Sequence, residues 1–351
     1  MSPDAETMRA VGFHEHGDVD DLELLDVPVP ETGPGDVLVD VRATALNHQD
    51  LFAVRELDHY ITDYPFWGGG DVAGVVAEVG EDVETWSPGD RVVLNSRIAC
   101  RECERCLAGE QSMCRNLQVL GEHRRGGFAE YVAVPGRNVH AVPDDYPLTE
   151  AAALPIGAGT AWRGLATRGG IGPEDEVLIV GATGGVGSYA VQIAVDVVGA
   201  DTVHATTSTG DKAARLEAMG VDNVIDYTET DFSRAVWEAT DGTGVDLVYN
   251  TVGGDTWTKS MRSLRNGGRL VTSGATAGPN PETELRLVFM RQLEIVGSTS
   301  HSHRDFEDVL SLAWSGAIEP VIQETFPLES FERPFEMMAN RSLYGKVVLT
   351  Q

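Results

Sequence analysis

The sequence predicts an α/β protein built from two domains, a β-barrel-like domain and a doubly wound parallel sheet. Two changes of pattern carry this reading. Up to about residue 155, short β-branched runs alternate with Gly and Pro; beyond it, strand and helix signals take turns until about 293–299, where the pattern shifts again. The early runs are 36–41 (DVLVDV), 74–79 (GVVAEV), 91–94 (RVVL) and 128–134, spaced as in all-β domains. Next come a strand at 176–180, a helix from Gly185, a strand at 202–205, a helix from Asp211, and strands at 223–226, 245–250 and 269–273. Strands joined through helices by short links form a parallel sheet with helices on both faces. The tail adds a helix at 306–315 and a last strand at 346–350. The expected domains are therefore 1–157 with 297–351, carrying a lobe at 97–116, and 158–296.

Composition narrows the function classes. A chain of 351 residues has enough apolar side chains for two cores. The longest apolar stretch, 177–200, is broken by glycines, Gln192 and Asp196, so no membrane span is expected. The start, MSPDAETMRAVGF, has no basic segment leading into an apolar one, and a cytoplasmic location is the expectation. The net charge is −29, and the lysines are Lys212, Lys259 and Lys346. Nucleic acid is a poor partner for such a surface, because phosphate backbones need basic groups. The acid is dispersed through structured segments, and molar salt would screen its self-repulsion over about 3 Å. This reads as adaptation to a salty cytoplasm.

All four cysteines lie in one short stretch, Cys100, Cys103, Cys106 and Cys114, spaced C-x2-C-x2-C-x7-C. Four thiolates make a closed tetrahedral zinc site with no open position for water or substrate. Disulfides or scattered free thiols are the alternatives; the close spacing and the absence of an export signal favour one structural Zn2+.

A second motif joins strand to helix. VLIV (177–180) runs into GATGGVG (181–187) and then an apolar helix. Glycines there let the backbone approach a pyrophosphate while the helix offers its first amides. Thr183, Gly184, Gly185, Val186 and Gly187 are the expected contacts, with Ala182 in the first glycine slot of the usual fingerprint. An NAD site places an acid at the end of the next strand to hold the ribose 2′-hydroxyl. Thr207 and Ser208 stand there instead, followed by Lys212, so NADPH is preferred over NADH.

Taken in order, GDVAGVVAEVG at Gly70, PGDRVV at Pro88, the cysteine lobe, GGFAEYVAVP at Gly126, TAW at Thr160 and ATGGVG at Ala182 resemble the medium-chain dehydrogenase/reductase superfamily along essentially the whole chain. The resemblance implies a GroES-like catalytic domain interrupted by a Rossmann domain, with the active site in the cleft between them. In the family's zinc alcohol dehydrogenases the catalytic metal has three protein ligands, and those slots fall here on Asn47, Gly70 and Ile156, none a usual zinc ligand. The hydroxyl that relays the alcohol proton in that branch falls on Gln49, which cannot relay it in the same way. The chain is thus more similar to the zinc-free quinone and enoyl or acrylyl thioester reductases.

That resemblance implies site roles for Asn47, His48, Tyr64 and Thr160: Asn47 polarises the acceptor, and a tyrosine, His48 or water supplies the proton. His59 and Tyr60 share the loop of Tyr64. Tyr227 is expected near the adenosine, and Asn250, Val252, Gly274 and Ser298 along the nicotinamide wall. Asp50 is expected to buttress the fold through a buried pair, and His301 and His303 to be solvated loop residues. The expected activity is hydride transfer from NADPH to a small electron-poor acceptor, either a quinone, an α,β-unsaturated carbonyl or an enoyl thioester. Two alternatives remain open: a zinc alcohol or polyol dehydrogenase using His48, His59 and Asp71, and a non-catalytic NADPH-binding protein. A homodimer or homotetramer is usual where this cysteine lobe occurs.

Overall fold

The computed structural model describes residues 6–55, 61 and 63–351. The chain divides into two compact units: Met1–Ile156 with Ser302–Phe306 and Ile322–Gln351, and Gly157–His301 with Glu307–Val321.

The first unit is a barrel-like sheet centred on the strand Asp36–Ala45. That strand pairs antiparallel with Asp71–Val79, Tyr131–Pro135 and Lys346–Thr350. Beyond them lie Arg91–Leu94 and Val139–Ala141 on one side and Ile322–Pro327 on the other. The two-residue period of a strand sends Val37, Val39 and Val41 to one face. They are fully buried there against Val72, Val76, Val92, Leu94 and Val132. A hairpin-like pair, Thr7–Gly12 with Glu23–Pro28, adds a two-stranded sheet that the sequence pattern does not announce.

The second unit holds a six-stranded, all-parallel sheet. Its order is Asn223–Asp226, Thr202–Thr207, Glu176–Val180, Val245–Asn250, Leu264–Thr272, Glu294–Gly297. The chain order reverses on either side of Glu176–Val180, the switch point at which such sheets take ligands. The strands are continuous apolar runs such as VLIV because helices cover both faces.

The units differ from the expected boundaries in one respect. Residues 297–301 and most of the helix His303–Trp314 group with the parallel sheet, not with the barrel. Ser298 N–H donates to Thr272 O at 2.9 Å. Further along, Gln192 and Glu319 exchange two hydrogen bonds of 2.9 and 2.7 Å. The chain therefore touches the barrel unit at Ser302–Phe306, leaves it again, and rejoins it at Ile322.

Candidate functional site

The cysteine lobe is built as its spacing predicts. All four sulfurs lie within 4.8 Å of one another. Cys100 Sγ is 3.4 Å from Cys114 Sγ and 3.9 Å from Cys106 Sγ. These separations are far from a disulfide's 2.05 Å and bracket the roughly 3.8 Å that tetrahedral Zn–S bonds of about 2.3 Å impose. The donor set fits zinc.

In the parallel-sheet unit, Gly181 turns out of the strand with φ +83°, the left-handed region that favours glycine. Gly184 then leads into the helix Gly185–Gln192. A Cβ at Gly187 would lie 2.1 Å from Gly181 O, so only glycine lets helix and strand close up here. Thr183, Gly184, Gly185 and Val186 remain partly exposed around the turn, available to a pyrophosphate. Thr207 ends its strand almost fully buried, and its hydroxyl has no hydrogen-bond partner among the described residues. The Ser298 hydroxyl is likewise buried and without a partner among the described residues. Buried polar atoms are normally satisfied, and these two fit the polar rim of a bound dinucleotide. Ser208 and Lys212 follow Thr207, with Lys212 on the helix Gly210–Ala218 capped by Thr209. Burial pulls the Lys212 ammonium below its ordinary pKa. Tyr227 is half exposed, and its N–H donates to Thr207 O at 3.0 Å. Val252 and Gly274 follow the C-terminal ends of their strands, as expected. Thr160, on the helix Pro155–Trp162, is buried, and its carbonyl accepts from Tyr249 Oη at 3.1 Å.

Asn250 ends the strand Val245–Asn250, with its side chain engaged by the loop that follows. Its Nδ2 donates to Thr256 Oγ1 and Ser260 Oγ at 2.9 and 2.8 Å, while its Oδ1 accepts from the N–H groups of Val252 and Gly253. Every donor of the amide is spent on shaping the loop, so Asn250 positions Val252 and has no amide proton left for a cofactor.

The barrel unit brings the three ligand-slot residues together, and their surroundings are unlike a metal site. Asp71 is completely buried. Its Oδ2 accepts from Lys346 Nζ at 2.9 Å and Asn47 Nδ2 at 2.8 Å, and its Oδ1 from Ile156 N at 2.7 Å. Lys346 Nζ also donates to Asn47 Oδ1 and Leu46 O. A Cβ at Gly70 would lie 2.8 Å from Ile156 Cδ1, so the isoleucine fills the place where a larger residue-70 side chain would begin.

Asn47 sits inside this cluster: its amide is tied to Asp71, Lys346 and, more loosely, Ala45 O, so both of its amide protons are engaged there. Asp50 is buried as expected but has no ion-pair partner among the described residues; its carboxyl accepts from the N–H groups of Gly69 and Asn47. Burial pushes it up to about 7, with nearby Asp71 adding to the rise.

His48 is an exposed residue at the start of the helix His48–Arg55. Tyr64 directs its hydroxyl to Ile61 O at 3.3 Å and packs against Phe13 and His16. His59 and Tyr60 lie outside the described residues. The two tail histidines are not solvated: His301 is fully buried, and His303 starts a helix with Nδ1 3.0 Å from Arg101 Nη2. Burial and the Arg101 charge push His303 down to about 4.

Lys346 escapes notice in the sequence, although one of only three lysines leading the apolar strand KVVLT is a readable signal. A cavity of about 540 Å³, lined in part by Val27, Trp67, Arg125 and Tyr131, also lies in the barrel unit; none of the predicted site residues lines it.

A barrel with a four-thiolate lobe, followed by a parallel sheet with a glycine-rich turn, defines a nicotinamide-dependent oxidoreductase. The family comparisons agree: the alcohol dehydrogenase GroES-like domain matches residues 33–144 and the zinc-binding dehydrogenase domain residues 185–315. The chain belongs to the medium-chain dehydrogenase/reductase superfamily. It is 34% identical over 331 residues to an acryloyl-coenzyme A reductase of Sulfurisphaera tokodaii, covering 93% of this chain and 96% of that one. A solved NAD-dependent alcohol dehydrogenase matches with a TM-score of 0.93 at 38% identity, covering 98% and 100% of the two chains. A 2-octenoyl-CoA carboxylase reductase, solved with NADP and 2-octenoyl-CoA, matches with a TM-score of 0.90 at 28% identity, covering 99% and 88%. Thioester reductases and alcohol dehydrogenases both stand among its relatives, so the choice between those chemistries rests on this chain's own residues.

Proposed function

We propose that this enzyme reduces a conjugated carbonyl acceptor, an enoyl thioester first among them, with NADPH and without a catalytic metal. The observation that carries the reading is the fate of the three ligand slots. Asn47 is bonded to Asp71 and Lys346, Gly70 has no side chain, and Ile156 fills the space beside it. An alcohol dehydrogenase needs a Lewis acid there to make an alkoxide at neutral pH. An electron-poor acceptor does not, because positioning and hydrogen bonds to its carbonyl suffice. The likeness to acryloyl-CoA reductase points the same way.

A bound nicotinamide would supply the hydride. The turn at Gly181 and the amides that open the helix Gly185–Gln192 would hold its pyrophosphate. The orphan hydroxyl of Thr207, with Ser208 and Lys212, would receive a 2′-phosphate, which a carboxylate in that place would repel. Val252, Gly274, Ser298 and Thr160 would face the nicotinamide end. One zinc in the cysteine lobe would be structural.

The second reading, alcohol oxidation with relocated ligands, draws on the 38% identity to an alcohol dehydrogenase. It must take Asp71 away from three hydrogen bonds, one of them to a buried ammonium. For assembly, the outer edge of the strand Glu294–Gly297 and the exposed Leu285, Phe289, Met290 and Ile295 offer a surface for a second copy.

The test couples zinc per chain, by elemental mass spectrometry after dialysis, to NADPH oxidation by acryloyl-CoA, crotonyl-CoA and a quinone. One zinc with thioester-dependent oxidation is expected. Two zincs with alcohol oxidation would replace this reading with the second.

A further inference from the structure

We infer that Gln49 is the hydrogen-bond donor that polarises the acceptor carbonyl; this deepens the reductase reading and rests on it. Hydride addition forms a C–H bond at the β-carbon of the acceptor. The C=C electron pair shifts toward the carbonyl, and negative charge gathers on its oxygen as an enolate. NADPH is oxidised to NADP+, and a proton from water then adds at the α-carbon. The step calls for a donor already aimed at that oxygen.

Most polar groups around the ligand slots have nothing left to give. Lys346 has three N–H donors, and Leu46 O, Asn47 Oδ1 and Asp71 Oδ2 take all three. The Asn47 Nδ2 donates to Asp71 and Ala45 O, and the Ile156 N–H to Asp71. Gly70 brings no side chain. Gln49 differs. Its half-buried amide nitrogen lies 3.7 Å from the point where a Cβ of residue 70 would stand. Its one hydrogen bond among the described residues is a long one, 3.4 Å to Leu120 O. The second N–H has no acceptor among the described residues and is left for the oxygen of a bound acceptor. A neutral amide can donate a hydrogen bond but cannot take up an alcohol proton at neutral pH, so the same residue favours reduction over metal-style dehydrogenation.

The experiment compares the full-length, zinc-loaded protein with Gln49→Leu and Gln49→Glu, using crotonyl-CoA and 1,4-benzoquinone as acceptors. Gln49→Leu should lower kcat for crotonyl-CoA by about a hundredfold, the usual loss of an oxyanion donor. The loss should be smaller for benzoquinone, which needs less activation. NADPH affinity, read by fluorescence titration, and zinc content should be unchanged. Gln49→Glu, close in shape, should be at least as slow near neutral pH and recover as the carboxyl is protonated, a profile that misfolding does not produce. Parent-like crotonyl-CoA turnover in Gln49→Leu would overturn the assignment and leave the reductase reading standing. A parent protein that reduces no conjugated acceptor would remove the reading, and the assignment with it.

Discussion

The cysteine lobe and the Asp71–Lys346–Asn47 cluster are two polar centres in one barrel-like unit, and they solve opposite problems. In the lobe, four sulfurs gather within 4.8 Å of one another, an arrangement that a divalent metal would complete. In the cluster, a buried carboxylate that accepts three hydrogen bonds meets a buried ammonium whose three donors are all used. The lobe keeps a donor set that suits a structural metal, while at the three ligand slots protein charges and an isoleucine side chain stand in its place. The difference teaches that the residues at a family's two metal positions vary independently: one set of thiols is kept while the other position holds Asn47, Gly70 and Ile156.

The largest expected effect falls on the lobe. Cys103→Ser should abolish zinc retention and loosen residues 97–116, because apparent zinc binding in such sites amounts to roughly 10–16 kcal/mol of folding free energy. Zinc analysis and limited proteolysis check it. NADPH affinity should survive, since none of the proposed cofactor contacts lies in the lobe; its loss would break the idea of separate modules.

Next comes Lys346→Met, which leaves Asp71 charged, buried and short of its cation. Breaking a buried pair from one side costs about 3–5 kcal/mol. Denaturant unfolding should show that loss while zinc content stays the same, and adding Asp71→Asn should recover part of it. If Lys346→Met alone is neutral, the cluster is not what organises this end of the barrel.

A smaller effect is a pH dependence. Asp50, facing Asp71 and Lys346, keeps its proton in the folded state up to about 7, whereas an unfolded aspartate releases it near 3.9. The folded state therefore binds the extra proton between those values, and Asp50 erodes stability as pH climbs from about 4 to about 7, then adds no further slope. Unfolding midpoints of the parent minus those of Asp50→Asn should trace that decline; a flat difference would count against the raised pKa.

The most diffuse effect belongs to the surface. With a net charge of −29, the thermal midpoint should rise with KCl as the Debye length falls from about 10 Å at 0.1 M to about 3 Å at 1 M. Lys346→Met should show the same salt slope, because its partners are out of reach of solvent ions.

Local periodicity and spacing made much of this legible. The strand–turn–helix at 177–187 and the four cysteines are contiguous in sequence, so their chemistry follows from neighbours along the chain. Element ends were less so: the predicted strand 36–41 extends to Ala45 and the predicted strand 269–273 begins at Leu264, because pairing with neighbouring strands carries them past their apolar runs.

By itself, then, the sequence determined the α/β class, the two-domain order, the metal lobe and the glycine turn, all written in short windows of residue type. Only the tertiary structure decided what the polar side chains do. Asn47 and Lys346 are 299 residues apart, and Asp71 and Lys346 are 275 apart, yet each pair shares a hydrogen bond below 3 Å. The engagement of Asn47 within this cluster has the same origin, as does the contact of His303 with Arg101, 202 residues away. A side chain's chemistry depends on which of its donors and acceptors folding has already used, and long-range packing settles that count.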